Sequence, residues 1–313
     1  MLRADVGPAL SLSRSSSRAS GLREGRSLSF AFGTTLTALV LGGCTGQISP
    51  SPEAADADAN STATAVVVVE GTLANEGSRS EAVARFVRAH GGTVDDDVLR
   101  MVGAVVDFPA LGSCGPVVAQ RAANPASPHW VSLVDVGSVA LIAGDSSTLL
   151  SRRQLPDVAD FVSGVVYSGR GSALAPRGGY ELRIDGTGDP DVPAFHVTAN
   201  APGEPSDVRI AGDDGRSGAV NLALATSNVD VAWEPGSAYD LVYVDVSAAS
   251  AAPSARCLFR DDGHASIPAS AFGAIEDGTL AVHRLHREAF HARGVDPGEV
   301  RFDFARVVSF ARR

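Results

Sequence analysis

The segment Tyr180-Glu181-Leu182-Arg183-Ile184-Asp185 decides the fold class, because apolar and polar side chains alternate along it. A β-strand places successive side chains on opposite faces, so this pattern buries one face and leaves the other in water. The segment Val300-Arg301-Phe302-Asp303-Phe304 alternates in the same way. Similar short runs, separated by Gly, Pro, Asn and Asp, continue from Ala65 to the C terminus. This spacing predicts a mainly β protein built from antiparallel β-sandwich modules, two in number, with few short helices.

One segment has helical spacing instead. Ser78-Arg79-Ser80-Glu81 fits the capping box of a helix N terminus, and Gly91-Gly92 is typical of a helix end. Between them, one helical stripe would hold Ala82, Val83, Phe86 and Val87. We therefore predict a helix over residues 79–90, inside a β-α-β unit whose strands are Val66 to Val69 and Val98 to Phe108.

Changes in composition divide the chain into segments. Residues 44–64 contain Pro, Ser, Ala and Asp with little to bury, which predicts a disordered tether. The Pro- and Gly-rich residues 201–207 predict a linker between two domains, residues 65–200 and residues 208–313. Both pieces have ordinary domain sizes.

Two strand-like segments support a comparison with known modules. Val231-Ala232-Trp233 and Leu241-Val242-Tyr243-Val244 resemble early strands of immunoglobulin-like or fibronectin-III modules, over about 20 residues. The resemblance implies a tryptophan buried between two sheets, which requires no further function.

The N-terminal residues predict export. An arginine-dotted start precedes an apolar run from Leu28 to Leu41, and small residues follow, which is the order of a secretory signal peptide over residues 1–43. The run is too short to span a bilayer, which needs about 20 residues. One interpretation is therefore a plain secretory signal peptide, after which Cys44 stays unmodified.

Leu41-Gly42-Gly43-Cys44 resembles the lipobox of bacterial lipoproteins. The resemblance implies cleavage before Cys44 and a lipid on its thiol, so that the mature N terminus is held at a membrane. Thr45, rather than Asp, follows the cysteine, which by similarity to Gram-negative sorting implies the outer membrane. The leaflet and face stay open.

The net charge of the chain limits the classes of molecule that it can bind. The chain carries 26 basic and 36 acidic residues, a net charge of −10, and loss of residues 1–43 would make it more acidic. Such a protein repels phosphate backbones, so we expect no nucleic-acid partner. Every basic residue is arginine, which excludes lysine Schiff bases, Walker-type phosphate loops and Ser-Lys dyads.

Two cysteines remain besides Cys44. Cys114 and Cys257 are an even pair, and an oxidising periplasm would allow a disulfide between them. The alternating segment around Cys257 equally allows a small buried thiol. Both interpretations stay open.

Sequence motifs for catalysis or metal binding are missing. His283, His286 and His291 do not have the spacing of the H-E-x-x-H zinc motif. Asp-Gly pairs, such as Asp213-Asp214-Gly215, are typical of turns, and Asp95-Asp96-Asp97 indicates a solvated turn. No Gly-x-Ser-x-Gly segment occurs. We therefore predict no metal, no cofactor and no catalytic residue, except that a pair of carboxylates would become visible only in the fold.

Three functions remain. The leading hypothesis is a lipid-anchored envelope protein with a binding or structural role, its partner an envelope protein or polysaccharide. The alternatives are an envelope polysaccharide hydrolase that uses a carboxylate pair, and a calcium-stabilised adhesin. Acidic side chains or histidines that converge in a cleft would favour the hydrolase.

Overall fold

The computed structural model describes residues 62–74, 77–90, 93–117, 130–158, 162–171, 177–188, 191–216, 219–223 and 228–313. The predicted signal peptide over residues 1–43, Cys44, and most of the predicted tether, up to residue 61, lie outside these ranges. The described chain is mostly β, with one α-helix, α1 (Asp96–Met101), and a 3₁₀ turn at Ala269–Ala271. The strands are β1 (Ala63–Ala74), β2 (Gly77–His90), β3 (Ser113–Pro116), β4 (Trp130–Leu133), β5 (Val139–Ala143), β6 (Ser146–Val158), β7 (Val162–Arg170), β8 (Gly178–Ile184), β9 (Phe195–Ala201), β10 (Arg209–Ile210), β11 (Asp213–Asp214), β12 (Val220–Leu222), β13 (Val229–Ala232), β14 (Leu241–Ala248), β15 (Ala255–Arg260), β16 (His264–Ile267), β17 (Asp277–Ala292) and β18 (Val295–Arg312).

The strands form two sheets. The larger has 14 described strands in the order β3-β15-β14-β17-β18-β1-β2-β4-β7-β6-β5-β8-β9, with β12 beside β18. The smaller has the order β11-β10-β13-β16. The antiparallel pairing predicted for the sheets is confirmed in the smaller sheet but only in part in the larger one, where β1 and β12 run parallel to β18, and β4 runs parallel to β7. The first strand thus returns to the last one in the middle of the sheet, a long-range pairing that local alternation does not encode.

The helix predicted over residues 79–90 is wrong, because this segment is strand β2. Ala82, Ala84 and Phe86 are fully buried, whereas Val83 and Arg85 between them are partly exposed. That period of two is a strand pattern, and every position from Gly77 to Val87 pairs with β1. Tertiary pairing therefore overrides the local capping signal, and the predicted β-α-β unit is replaced by an antiparallel hairpin.

The helix lies one segment later than predicted. α1 begins after Asp95, whose carboxylate accepts a hydrogen bond from the backbone N–H of Val98 at 2.9 Å. Asp96 and Asp97 occupy the first turn, where negative charge is favoured at a helix N terminus. The aspartate run therefore caps a helix, and the strand predicted from Val98 to Phe108 does not form.

Alternation along the strands separates a core face from a polar face. On β18, Phe302 and Phe304 are buried in a core cluster that also contains the inward residues of β1, β2, β5, β7 and β8. A second cluster joins both sheets, with Val231 and Trp233 from the β13 region and Val244 from β14. The opposite face of the central strands is left for polar side chains.

A buried ion pair fastens the segment after β9. Arg284 on β17 contacts Asp261 with 2.6 Å between Nε and Oδ2, and the two side chains are 3% and 0% exposed. The same guanidinium donates to the carbonyls of Gly203, Glu204 and Glu234. Residues 201–207 are thus attached to β17 at their middle. The predicted division into domains on either side of them stays a prediction.

Candidate functional site

A polar cleft lies on the face of the large sheet opposite the core. The adjacent strands β17, β18, β1 and β2 form its floor. Helix α1 and residues 103–108 form a wall over this floor. The cleft has a volume of about 540 Å³, within the range of small-molecule sites. Its charged and aromatic lining residues include Glu70, Glu81, Arg85, Phe108, Arg301 and Asp303.

Asp303 is fixed by two neighbours at the edge of the cleft. The hydroxyl of Tyr243 donates to Oδ2 at 2.5 Å, and Nδ1 of His283 lies 2.8 Å from Oδ1. The rings of Tyr243 and His283 are stacked, with centroids 4.1 Å apart. Burial, followed by the charge of Asp303, raises the pKa of Tyr243 well above its ordinary value. Tyr243 therefore stays protonated and keeps donating its hydrogen bond.

Glu70 lies directly opposite Asp303 on the parallel neighbour β1, so both carboxyl groups point to the same face. Its side chain opens into the cleft and is exposed there, and the cleft walls remove only part of its hydration. This desolvation, followed by the negative charges of Asp303 and Glu81, raises the pKa of Glu70, while His283 and Arg85 act in the opposite direction. The cleft thus pairs a carboxyl that retains its proton more readily than usual with a neighbour already engaged in hydrogen bonds.

Arg85, on β2, also lines the cleft and interacts electrostatically with Glu70. Desolvation lowers the pKa of Arg85, and the charge of Glu70 works against that change. Its guanidinium makes no hydrogen bond or ion pair with another described residue. Arg85 is therefore a charged group on the cleft floor whose N–H donors are available to a ligand.

Several side chains hold the wall of residues 103–108 over the floor. Arg301 donates to the carbonyl of Ala104 at 2.5 Å. Arg256 forms a two-pronged ion pair with Asp245, both distances being 2.7 Å, and its guanidinium lies over the rings of Tyr243 and Phe108. The wall is thus attached to both the floor and the strand that carries Tyr243.

The structure joins Cys114 and Cys257 by a disulfide. The two cysteines are partners in the pairing of β3 with β15, and Cys257 is fully buried. The bond fastens the edge strand β3, which follows the cleft wall in the chain, to its neighbour β15. Cys44, the third predicted site residue, lies outside the described ranges, so its lipid attachment stays a prediction.

The histidines singled out in the sequence are separated by the fold. His283 faces the cleft, whereas His286 points to the other face and contacts Asp240 at 2.6 Å and Glu288 at 3.2 Å. Burial opposes protonation of His286, but these two hydrogen bonds outweigh it and raise its pKa. Across the described residues, no group of three or more His, Cys, Asp or Glu side chains is arranged to hold a metal ion.

The sequence contains no motif that predicts catalytic residues or marks Glu70, Arg85, Tyr243 or Asp303 as functional. Their strands are far apart in the chain, and only the register places them on one face. One signal was present in the sequence: Arg301 and Asp303 alternate with the buried residues of β18, a central strand whose second face would otherwise be apolar.

Comparisons with known proteins do not assign a family. No family model matches the chain, and no curated protein matches it. Among the described residues, none of the helices is long and apolar enough to cross a membrane.

Proposed function

We propose that this protein is a lipid-anchored envelope protein that binds a polar ligand in the central cleft. The observation that carries the proposal is the cleft itself, in which charged side chains from four adjacent strands converge under a wall held by Arg256 and Arg301. The lipobox-like Leu41–Cys44 segment supports the anchor and the outer-membrane location. An envelope polysaccharide, rather than a protein, fits a concave site of this size.

The fold supports the resemblance to sandwich modules in one region. The second core cluster contains Val231 and Ile267 of the smaller sheet together with Val244 and Val282 of the larger sheet. We infer that these two sheets pack face to face as a two-layer sandwich, with Trp233 between them. The calcium-stabilised adhesin has no supporting observation of this kind.

Anchoring is tested by Cys44→Ser in cells. The wild-type protein should partition with the outer membrane and carry a lipid-modified N-terminal cysteine by mass spectrometry. The variant should be released in soluble form. Retention of the variant in the same membrane fraction, with the same processing, would reject the anchor.

Ligand binding is tested by cosedimentation of the purified Cys44→Ser chain with polysaccharide prepared from the envelope. Arg85→Gln should weaken binding by about 10-fold or more, because it removes a charge-assisted hydrogen-bond donor worth about 1.5–3 kcal/mol. Arg209→Gln, an exposed arginine on β10 in the smaller sheet, is the matched control and should bind normally. Equal binding by both variants would place the ligand elsewhere.

A further inference from the structure

Two carboxyl groups in the cleft, those of Glu70 and Asp303, have different environments, which binding alone does not require. Glu70 makes no hydrogen bond with another described residue, whereas both oxygens of Asp303 are engaged by Tyr243 and His283. Two neighbouring carboxyl groups with such different surroundings can take different protonation states, which is the arrangement that acid–base catalysis uses.

We propose that the cleft hydrolyses glycosidic bonds of an acidic polysaccharide, with Glu70 as the proton donor and Asp303 as the base. This inference rests on the proposed function, since it names the ligand of the same cleft and adds a reaction to its binding. It depends on the opposed positions of the two residues on β1 and β18 and on the concave wall above them.

Glu70 suits the role of donor because of where its carboxyl lies. Partial desolvation in the cleft, followed by the negative charges of Asp303 and Glu81, raises the pKa of Glu70. A carboxyl in this environment retains a proton closer to neutral pH, when the leaving oxygen of a sugar needs it. Its position in the cleft gives a substrate access to it.

Asp303 suits the role of base because its orientation is fixed from the far side. The two groups that bind its oxygens lie on β17 and β14, whereas Glu70 lies on β1, across the other edge of β18. The groups that bind Asp303 therefore hold its carboxylate from the side of β18 opposite Glu70. Tyr243 and His283 are positioning residues in this arrangement.

The reaction is a single hydrolysis. Glu70 transfers its proton to the glycosidic oxygen as the bond from that oxygen to the anomeric carbon breaks. Water forms a new bond to the anomeric carbon and gives a proton to Asp303. Transfer of that proton through solvent from Asp303 back to Glu70 restores both groups, so that water is the only co-reactant.

Arg85 determines the class of substrate. Its guanidinium belongs to the cleft floor, interacts electrostatically with Glu70, and makes no hydrogen bond or ion pair with another described residue. A guanidinium fits the two oxygens of a carboxylate. A sugar that carries a carboxylate would pair with Arg85, and its ring would lie against the aromatic wall at Phe108.

The experiment measures the release of reducing ends by the purified Cys44→Ser chain from the acidic polysaccharide fraction of the envelope, with the neutral fraction as comparison. Glu70→Gln and Asp303→Asn should each lower the rate by 10²–10⁴-fold. Glu276→Gln and Asp213→Asn make the same chemical changes at exposed positions outside the cleft lining and should retain the rate. Circular dichroism verifies that each variant is folded.

Binding is measured in parallel, so that the two proposals can fail separately. Glu70→Gln should bind the acidic fraction as well as its parent while losing turnover, which supports the inference. Binding without any release of reducing ends overturns hydrolysis and leaves the binding function standing. Release that is equal in Glu70→Gln, or confined to the neutral fraction, also overturns the inference. Absence of binding to either fraction overturns both proposals.

Discussion

Arg284→Met should destabilise the protein severely, although the residue lies on the face of β17 opposite the cleft. The Arg284 guanidinium, 3% exposed, neutralises Asp261, which is 0% exposed and also accepts from the indole N–H of Trp233 at 2.6 Å. Methionine leaves the carboxylate buried without its cation and removes the donors to Gly203 and Glu234. Removing one partner of a buried ion pair lowers the free energy of unfolding by about 3–5 kcal/mol.

The magnitude can be measured by urea denaturation followed by tryptophan fluorescence. We expect the free energy of unfolding to fall by about 4 kcal/mol, equivalent to roughly 8–16 °C in Tm for a domain of this size. Arg216→Met is the control, since its ion pair with Asp207 is exposed and such pairs contribute less than about 1 kcal/mol. Adding Asp261→Leu to Arg284→Met should restore part of the loss. A loss below about 1 kcal/mol in Arg284→Met would refute the reasoning.

Three other predictions concern the sheet, the disulfide and the cleft. Gly71→Ala should cost about 1–3 kcal/mol in a denaturation experiment, because its new Cβ would lie 2.6 Å from the buried ring of Phe304. Gly179→Ala is the control, since its Cβ would meet only Asn200 Oδ1, at an ordinary 4.0 Å, and equal stabilities of the two variants would contradict the packing. Replacing both Cys114 and Cys257 by alanine should cost about 2–5 kcal/mol, and a midpoint unmoved by the change would show that the bond contributes nothing. The pKa of Glu70 is raised in the folded state, so the folded protein binds the Glu70 proton more tightly than the unfolded chain does. The protonated Glu70 therefore contributes to stability fully at pH values below the usual pKa of glutamate. This contribution is lost as the pH rises through the raised pKa. Glu70→Gln should therefore show a smaller fall in stability over that pH interval, and parallel pH curves would contradict the raised pKa.

Alternation predicted the parts of the fold that depend on burial of a single strand. Tyr180, Leu182 and Ile184 are buried as their spacing indicated, and so are Phe302 and Phe304. Burial of these residues could be predicted because it depends on the strand alone. A strand with one apolar face buries that face whichever strands it pairs with.

Alternation failed where two patterns overlap or where pairing is long-range. The spacing of Ala82, Phe86 and Val87 is compatible with a helix and with a strand. Pairing with the neighbouring strand β1 selects the strand. The parallel pairing of β1 with β18 depends on contacts over more than 200 residues. The cleft follows from the same pairing, since Glu70 and Asp303 become neighbours only when these two strands are in register.

The most direct test of the account is a crystal structure of the Glu70→Gln chain with oligosaccharides from the acidic envelope fraction. The account predicts a saccharide in the cleft, with its carboxylate on Arg85 and a glycosidic bond between residue 70 and Asp303. A saccharide bound outside the cleft, or a cleft that stays empty at saturating oligosaccharide, would contradict it.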